Sequence, residues 1–138
     1  MNFFFDNNLP PAIARALQAL SRSQWGEEHE VQHLTNRFPP DTPDAEWITT
    51  LSDEGGWCVI TKDRLTKGLE RQVLARAGLV VFLLDRSWKN HQFWASSVQL
   101  CRWWPRVVEQ AERLSGGAIL QVPWNVSGKG KFKQVPLA

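Results

Sequence analysis

The sequence predicts an α/β fold. It reads as a three-layer α/β/α domain over residues 1–124 with a mainly parallel central sheet of about five strands, then a basic flexible tail over residues 125–138. Two observations carry that prediction. Short segments that are apolar at nearly every position, NFFF (2–5), WCVIT (57–61), LVVFLL (79–84) and AILQV (118–122), alternate with longer segments whose apolar residues recur at helical spacing. Strands apolar on both sides belong to parallel sheets covered by helices on both faces. In addition, 138 residues at 43% hydrophobic and 22% charged suit one domain with one core.

Residues 2–5 form the first strand. Asn7 and Asn8 make a turn, and Pro10-Pro11 open a helix at its first turn, where a missing N–H does no harm. Ile13, Ala16, Leu17 and Leu20 give that helix one apolar face, ending near Ser21. HEVQHL (29–34) follows a polar loop containing Gly26 and falls where the alternation asks for a second strand. FPPDTPD (38–44) leads into a helix striped by Trp47, Ile48 and Leu51 and stopped by Gly55-Gly56. After WCVIT, residues Leu65, Leu69, Val73, Leu74 and Ala77 mark a helix closed by Gly78. Residues 91–114 are helical, with Trp94, Val98, Cys101, Trp104, Val108 and Ala111 as apolar positions. Pro105 inside that pattern predicts a kink or two successive helices.

Composition excludes some classes of function. No apolar run approaches a bilayer span, so no membrane role is expected. FFF is too short for the apolar stretch of a signal peptide and is cut off by Asp6. Cys58 and Cys101 read as buried free thiols of a reduced compartment, which implies a cytoplasmic protein. The net charge of +2 is low for a dedicated nucleic-acid binder, although a local basic patch would suffice. Eight tryptophans must be core or contact surface.

Three apolar segments end on an acid: NFFFD at Asp6, WCVITKD at Asp63 and VVFLLD at Asp85. In open α/β sheets the ligand site lies beyond the carboxyl ends of the strands, so Asp6 and Asp63 can converge there. Asp44 continues the inward stripe of its helix, three residues before Trp47, four before Ile48 and seven before Leu51. Glu46 is rotated roughly 200° away and faces water. A plainer account has Asp41 or Thr42 capping the helix, Pro43 entering it and Asp44 suiting the helix dipole. Three carboxylates in one cleft repel unless a cation neutralises them, and oxygen-only ligands select Mg²⁺ or Mn²⁺. No serine or cysteine nucleophile partnered with histidine and no glycine-rich phosphate loop stands out.

Taken together, FFFDNNLP with its following helix, the D-x-E-W-I helix start (Asp44 to Ile48) and VITKD (59–63) resemble the PIN-like nuclease superfamily, nearest to its compact branch of VapC-related toxins. The resemblance covers about the first two-thirds of the chain. It implies a PIN-like fold and a metal-dependent endoribonuclease, often the toxin of a toxin–antitoxin pair, with RNA as substrate and an antitoxin protein as partner. Carried over by position, the family's metal-binding acids are Asp6, Asp44 and Asp63, and Thr61 is a hydrogen-bonding neighbour of the metal. Larger members carry a further acid on a helix between the first two. This chain departs from them: Asp41 lies in a proline loop, and Asp85 ends a strand expected further from the sheet centre.

Other readings compete. His29-Glu30-Val31-Gln32-His33 is the H-E-x-x-H signature of zinc peptidases, which requires a helix. On a strand the two histidines stand about 13 Å apart, too far for one zinc. Glu27 and Glu28 favour a helix there, whereas strand alternation favours a strand. A third reading is a catalytically silent interaction domain. Trp88, Trp94, Trp103 and Trp104 cannot all face one core, and an antitoxin peptide or a second copy in a homodimer could cover them. Arg64, Lys67 and Arg71 follow Asp63 at helical spacing and suit RNA phosphates, or equally a solvated helix face. The end of the chain, SGKGKFKQV (127–135), offers Lys129, Lys131 and Lys133 with Phe132 for backbone and base contact, or is a solvated end.

Overall fold

The computed structural model describes residues 1–62, 78–114, 116–126 and 132–135. Its elements are β1 (Asn2–Phe5), α1 (Pro11–Trp25), β2 (Glu30–His33), α2 (Asp44–Glu54), β3 (Trp57–Thr61), β4 (Val80–Leu84), α3 (Phe93–Arg113), β5 (Ala118–Val122) and β6 (Lys133–Val135). Short 3₁₀ turns cover Gly26–Glu28, Leu34–Asn36 and Arg86–Asn90. The strands form one sheet in the order β2-β1-β3-β4-β5-β6, parallel throughout except for the β5–β6 pair.

Strand alternation divides the core. Phe3, Phe5, Cys58, Ile60, Phe82 and Leu120 face α1 and α3, whereas Phe4, Val59, Val81 and Ile119 face α2. Because β1, β3 and β4 are buried on both faces, they need apolar residues at every position, which is the pattern the sequence displays. The many indoles fit because each buried ring that carries an N–H has an acceptor. Trp88 donates to Val122 O at 2.9 Å, Trp104 to Ser21 Oγ at 2.8 Å, and Trp103 to Trp124 O at 3.3 Å. At the far end of α2, Glu54 accepts from Arg37 and, at 2.9 Å, from Trp57 Nε1.

Several expectations need correction. Among the described residues the sheet has six strands rather than about five, because Lys133–Val135 lies antiparallel on β5, with Gln134 opposite Leu120. Phe132 packs on Phe82 and Trp103, so residues 132–135 are part of the domain rather than a trailing end. The buried face of α1 is Ile13, Ala14, Leu17 and Ser21, while Ala16 and Leu20 are exposed. Residues 93–113 form one helix through Pro105, not two. That helix buries Leu100, Trp103, Trp104, Val107, Val108 and Ala111, leaving Trp94 (78% exposed) and Val98 outside and Cys101 half-buried. Of the four tryptophans in this region, three are therefore core. The helix expected over Leu65–Ala77 lies outside the described residues. No described helix is long and apolar enough to cross a membrane.

Both cysteines are free. Burial pushes the Cys58 thiol up to about 12, and burial also raises the half-buried Cys101 thiol. Since the thiolate is the reactive form, a thiol reagent at about pH 8 should label Cys101 well before Cys58 in the native protein, and both equally in denaturant. Mass spectrometry of a labelling time course checks this; equal native rates would mean that β3 opens readily.

Candidate functional site

The site starts from strand register. Phe5 pairs with Ile60, so the next residues, Asp6 and Thr61, stand side by side at the carboxyl edge of the adjacent interior strands β1 and β3. Alternation turns both side chains toward the face that α2 covers, together with Phe4 and Val59. Asp6 is 7% exposed and Thr61 is 2% exposed. A buried carboxylate needs donors, and Asp6 has them. Its Oδ1 accepts from the Asn7 backbone N–H at 2.6 Å, and its Oδ2 accepts from Thr61 Oγ1 at 3.0 Å and Asn8 Nδ2 at 3.3 Å.

Asn8 is the residue that the sequence reading missed. Besides contacting Asp6, its amide nitrogen reaches Thr61 Oγ1 at 3.0 Å, and its oxygen accepts from the Lys62 backbone N–H at 3.1 Å. It thus ties the end of β1 to the end of β3. The only signal was a second asparagine after the acid, which is indistinguishable from ordinary turn chemistry.

Asp44 is the first residue of α2, with Pro43 at the capping position and no side-chain cap, so neither Asp41 nor Thr42 caps the helix. Asp44 is half-buried, and its Oδ1 accepts from Trp47 Nε1 at 3.1 Å. Trp47 in turn stacks on Phe4, two residues before Asp6. A helix joining parallel strands runs opposite to them, so the N-terminus of α2 lies at the strands' carboxyl edge. The Asn7 amide fastens the preceding loop there by donating to Pro40 O at 3.1 Å.

Asp63, Arg64, Lys67, Arg71, Lys129 and Lys131 lie outside the described residues. Lys133 is exposed on β6. Among the described residues no group of three histidines, cysteines or acids could hold a metal. The ligand atoms present at Asp6 are nevertheless oxygens, those of its carboxylate and of the Thr61 hydroxyl, which suits a hard cation such as Mg²⁺ or Mn²⁺. Asp85 ends a strand adjacent to β3, so β4 is as central as β3 rather than further out. Its carboxylate caps the following 3₁₀ turn through Ser87 N at 3.0 Å and the Ser87 hydroxyl.

The H-E-x-x-H match does not form a zinc site. Glu30–His33 is a strand, so the histidines are separated by the length of β2. His33 Nε2 lies 2.6 Å from Leu9 O, which must accept, so Nε2 carries the proton and Nδ1 accepts from Thr35 N at 3.1 Å. His29 is buried against Phe3 and Trp25, with Nε2 2.8 Å from Glu112.

Thr61 has a measurable part in this network. Thr61→Val removes a donor to a buried carboxylate and should cost about 1–3 kcal/mol, while Thr61→Ser should cost far less. Urea unfolding at neutral pH checks this, and equal losses for the two variants would show that the hydroxyl is not what holds Asp6.

The profile of the PIN like domain family matches residues 1–86, the part of the chain that carries Asp6, Asn8, Asp44 and Thr61. No curated protein and no solved structure matches the chain. PIN-like domains are generally nucleases. With a mainly parallel three-layer fold and an acid held at the carboxyl edge of its first strand, the chain belongs to the PIN like domain family.

Proposed function

We propose that this protein is a metal-dependent endoribonuclease that hydrolyses RNA phosphodiesters, and that it is the toxin of a toxin–antitoxin pair of the VapC-related kind. The observation that carries this reading is the buried Asp6 carboxylate, fixed by Asn7, Asn8 and Thr61 on the α2 side of the sheet edge. Asp6, Asp44 and Asp63 would hold Mg²⁺ or Mn²⁺, with Thr61 as the neighbour that orients Asp6. Such an ion supplies positive charge beside the scissile phosphate and lowers the pKa of a coordinated water. The chain's own contribution is preorganisation. Thr61 and Asn8 hold Oδ2 in place, and the Asn7 N–H holds Oδ1, so the carboxylate does not reorient during the reaction.

Lys62 beside the site, with Arg64, Lys67 and Arg71 after it, would take RNA phosphates. The antitoxin, or a second copy of the chain, would cover the exposed stripe of Trp94 and Val98 on α3 with Leu20 on α1, since exposed aromatic anchors of this kind dominate interfaces. The reduced thiols accord with a cytoplasmic setting.

Purified protein should cleave single-stranded RNA with Mg²⁺ or Mn²⁺ and not with EDTA, and Asp6→Asn and Asp63→Asn should each abolish cleavage in a folded protein. Wild-type activity in both variants would mean the metal site is misplaced. Expressed alone in a bacterium, the chain should arrest growth, and co-expression of its neighbouring gene should relieve the arrest.

The lysines near the end of the chain give an independent measurement. Replacing Lys129, Lys131 and Lys133 by alanine should reduce the slope of log affinity against log salt for RNA by about 2, leaving cleavage at saturating RNA unchanged. An unchanged slope would remove these lysines from the RNA path.

A further inference from the structure

We infer that a cavity on the opposite side of the same sheet edge is a nucleobase pocket, holding one unpaired base of the RNA strand next to the nucleotide whose phosphate lies at Asp6. The inference rests on the nuclease reading above and adds to it a place where the substrate is read.

The cavity measures about 210 Å³ and lies between the turn after β1, the end of β4 and the first turns of α3. Sites that enclose whole drug-sized ligands run to about 300–1,000 Å³, so this one suits a single ring system. Its floor is apolar and buried, formed by Ile13, Leu84 and Leu100. Phe93 stands at the wall and is 45% exposed, available to stack on a base. This combination of a flat apolar slot with an aromatic wall is how proteins take up unpaired bases.

The polar atoms give a direction to the recognition. Ser97 Oγ donates to Phe93 O at 2.7 Å, and Ser96 Oγ donates to His91 O at 3.3 Å. With their hydrogens committed to backbone carbonyls, both hydroxyl oxygens are left as acceptors. Acceptors match the exocyclic amino group of adenine, cytosine or guanine, which uracil lacks. The described lining contains no carboxylate, and its one formal charge is Lys62, which suits a ligand carrying phosphate.

Continuity with the acid site sets the occupant apart from an unrelated small molecule. Leu9 and Lys62 line the cavity, and between them Asn8 bonds the Asp6 carboxylate, Thr61 and the Lys62 backbone at once. Alternation along β3 points Lys62 to the α1 and α3 side, opposite to Thr61. An RNA strand crossing the sheet edge over Asn8 therefore places a phosphate on one side and a neighbouring base on the other.

The test uses adenosine, cytidine and uridine 5′-monophosphates and ribose 5-phosphate, titrated in EDTA and followed by amide chemical shifts, so that no cleavage intrudes. Adenosine and cytidine monophosphates should perturb the amides of Ser96, Ser97 and Leu100 and bind tighter than uridine monophosphate. Ribose 5-phosphate should bind at least tenfold more weakly than either. Ser97→Phe, which fills the cavity, should weaken nucleotide binding tenfold or more, and Phe93→Ala, which needs no repacking, about fivefold or more. Ribose 5-phosphate binding as tightly as the nucleotides, or unchanged titrations in both pocket variants, would overturn the pocket. Uridine and cytidine monophosphates binding equally would overturn the serine oxygens as its readers. The two readings fail separately. Loss of the pocket with RNA cleavage intact leaves the nuclease standing, whereas Ser97-dependent nucleotide binding without any RNA cleavage leaves a nucleotide site and removes the nuclease.

Discussion

The register of β1 on β3 is the constraint from which the rest of the site follows. With Phe5 opposite Ile60, the two residues that leave the strands, Asp6 and Thr61, are neighbours on the side of α2. A slip of one residue would turn Asp6 toward the packed aromatic face of α1 and α3, where a charge would lack these donors and would be strongly disfavoured. The alternation of Phe3, Phe4 and Phe5 guards against that slip, because all three rings are buried and each side of the sheet is shaped for its own rings. The sheet edge is therefore a rigid mount on which the turn over residues 6–10 and the last residue of β3, Thr61, present their side chains.

How much of this was legible depends on the kind of signal. The parallel strands were plain, because burial on both faces forces continuous apolar runs such as WCVIT and VVFLL. Acids at strand ends were equally plain, since a charge cannot continue such a run. Helix orientation was less so. On α1 the buried set includes Ala14 and Ser21, small residues that carry little hydrophobic signal, and the larger Leu20 drew attention to the wrong side. β6 gave no strand signal, because KQV is short, lies in a glycine- and lysine-rich stretch and pairs with one strand only, β5. Asn8 was hidden because its partners, Asp6, Thr61 and Lys62, meet only through the fold.

The helix α3 carries apolar residues on two sides, and both are accounted for by different needs. One side closes the core through Trp103, Trp104 and Val108. The other presents Trp94 and Val98 to solvent, with Phe93 turned to the cavity at the helix start. Pro105 is tolerated in the middle of a 21-residue helix by neighbours that hold both of its halves: before it Trp104 is anchored to Ser21, and Gln99 and Trp103 to Trp124 O, and after it Arg106 donates to Val126 O. Helix continuity here is a property of tertiary packing, against local propensity.

The antiparallel placement of β6 bears on how the molecule is made. Parallel pairing among β1 to β5 leaves β5 with a free row of backbone groups until Lys133–Val135 arrives. β6 is the last of the six strands to be synthesised, and domains emerge from the ribosome with the N-terminal part first. During translation the sheet therefore passes through a stage in which its β5 margin is open to any extended chain nearby, including the same edge of a second nascent molecule. A chain cut before Lys133 would keep Asp6, Asn8 and Thr61 at the sheet edge and leave the β5 margin unsealed, so this three-residue strand shields the fold from edge-to-edge pairing.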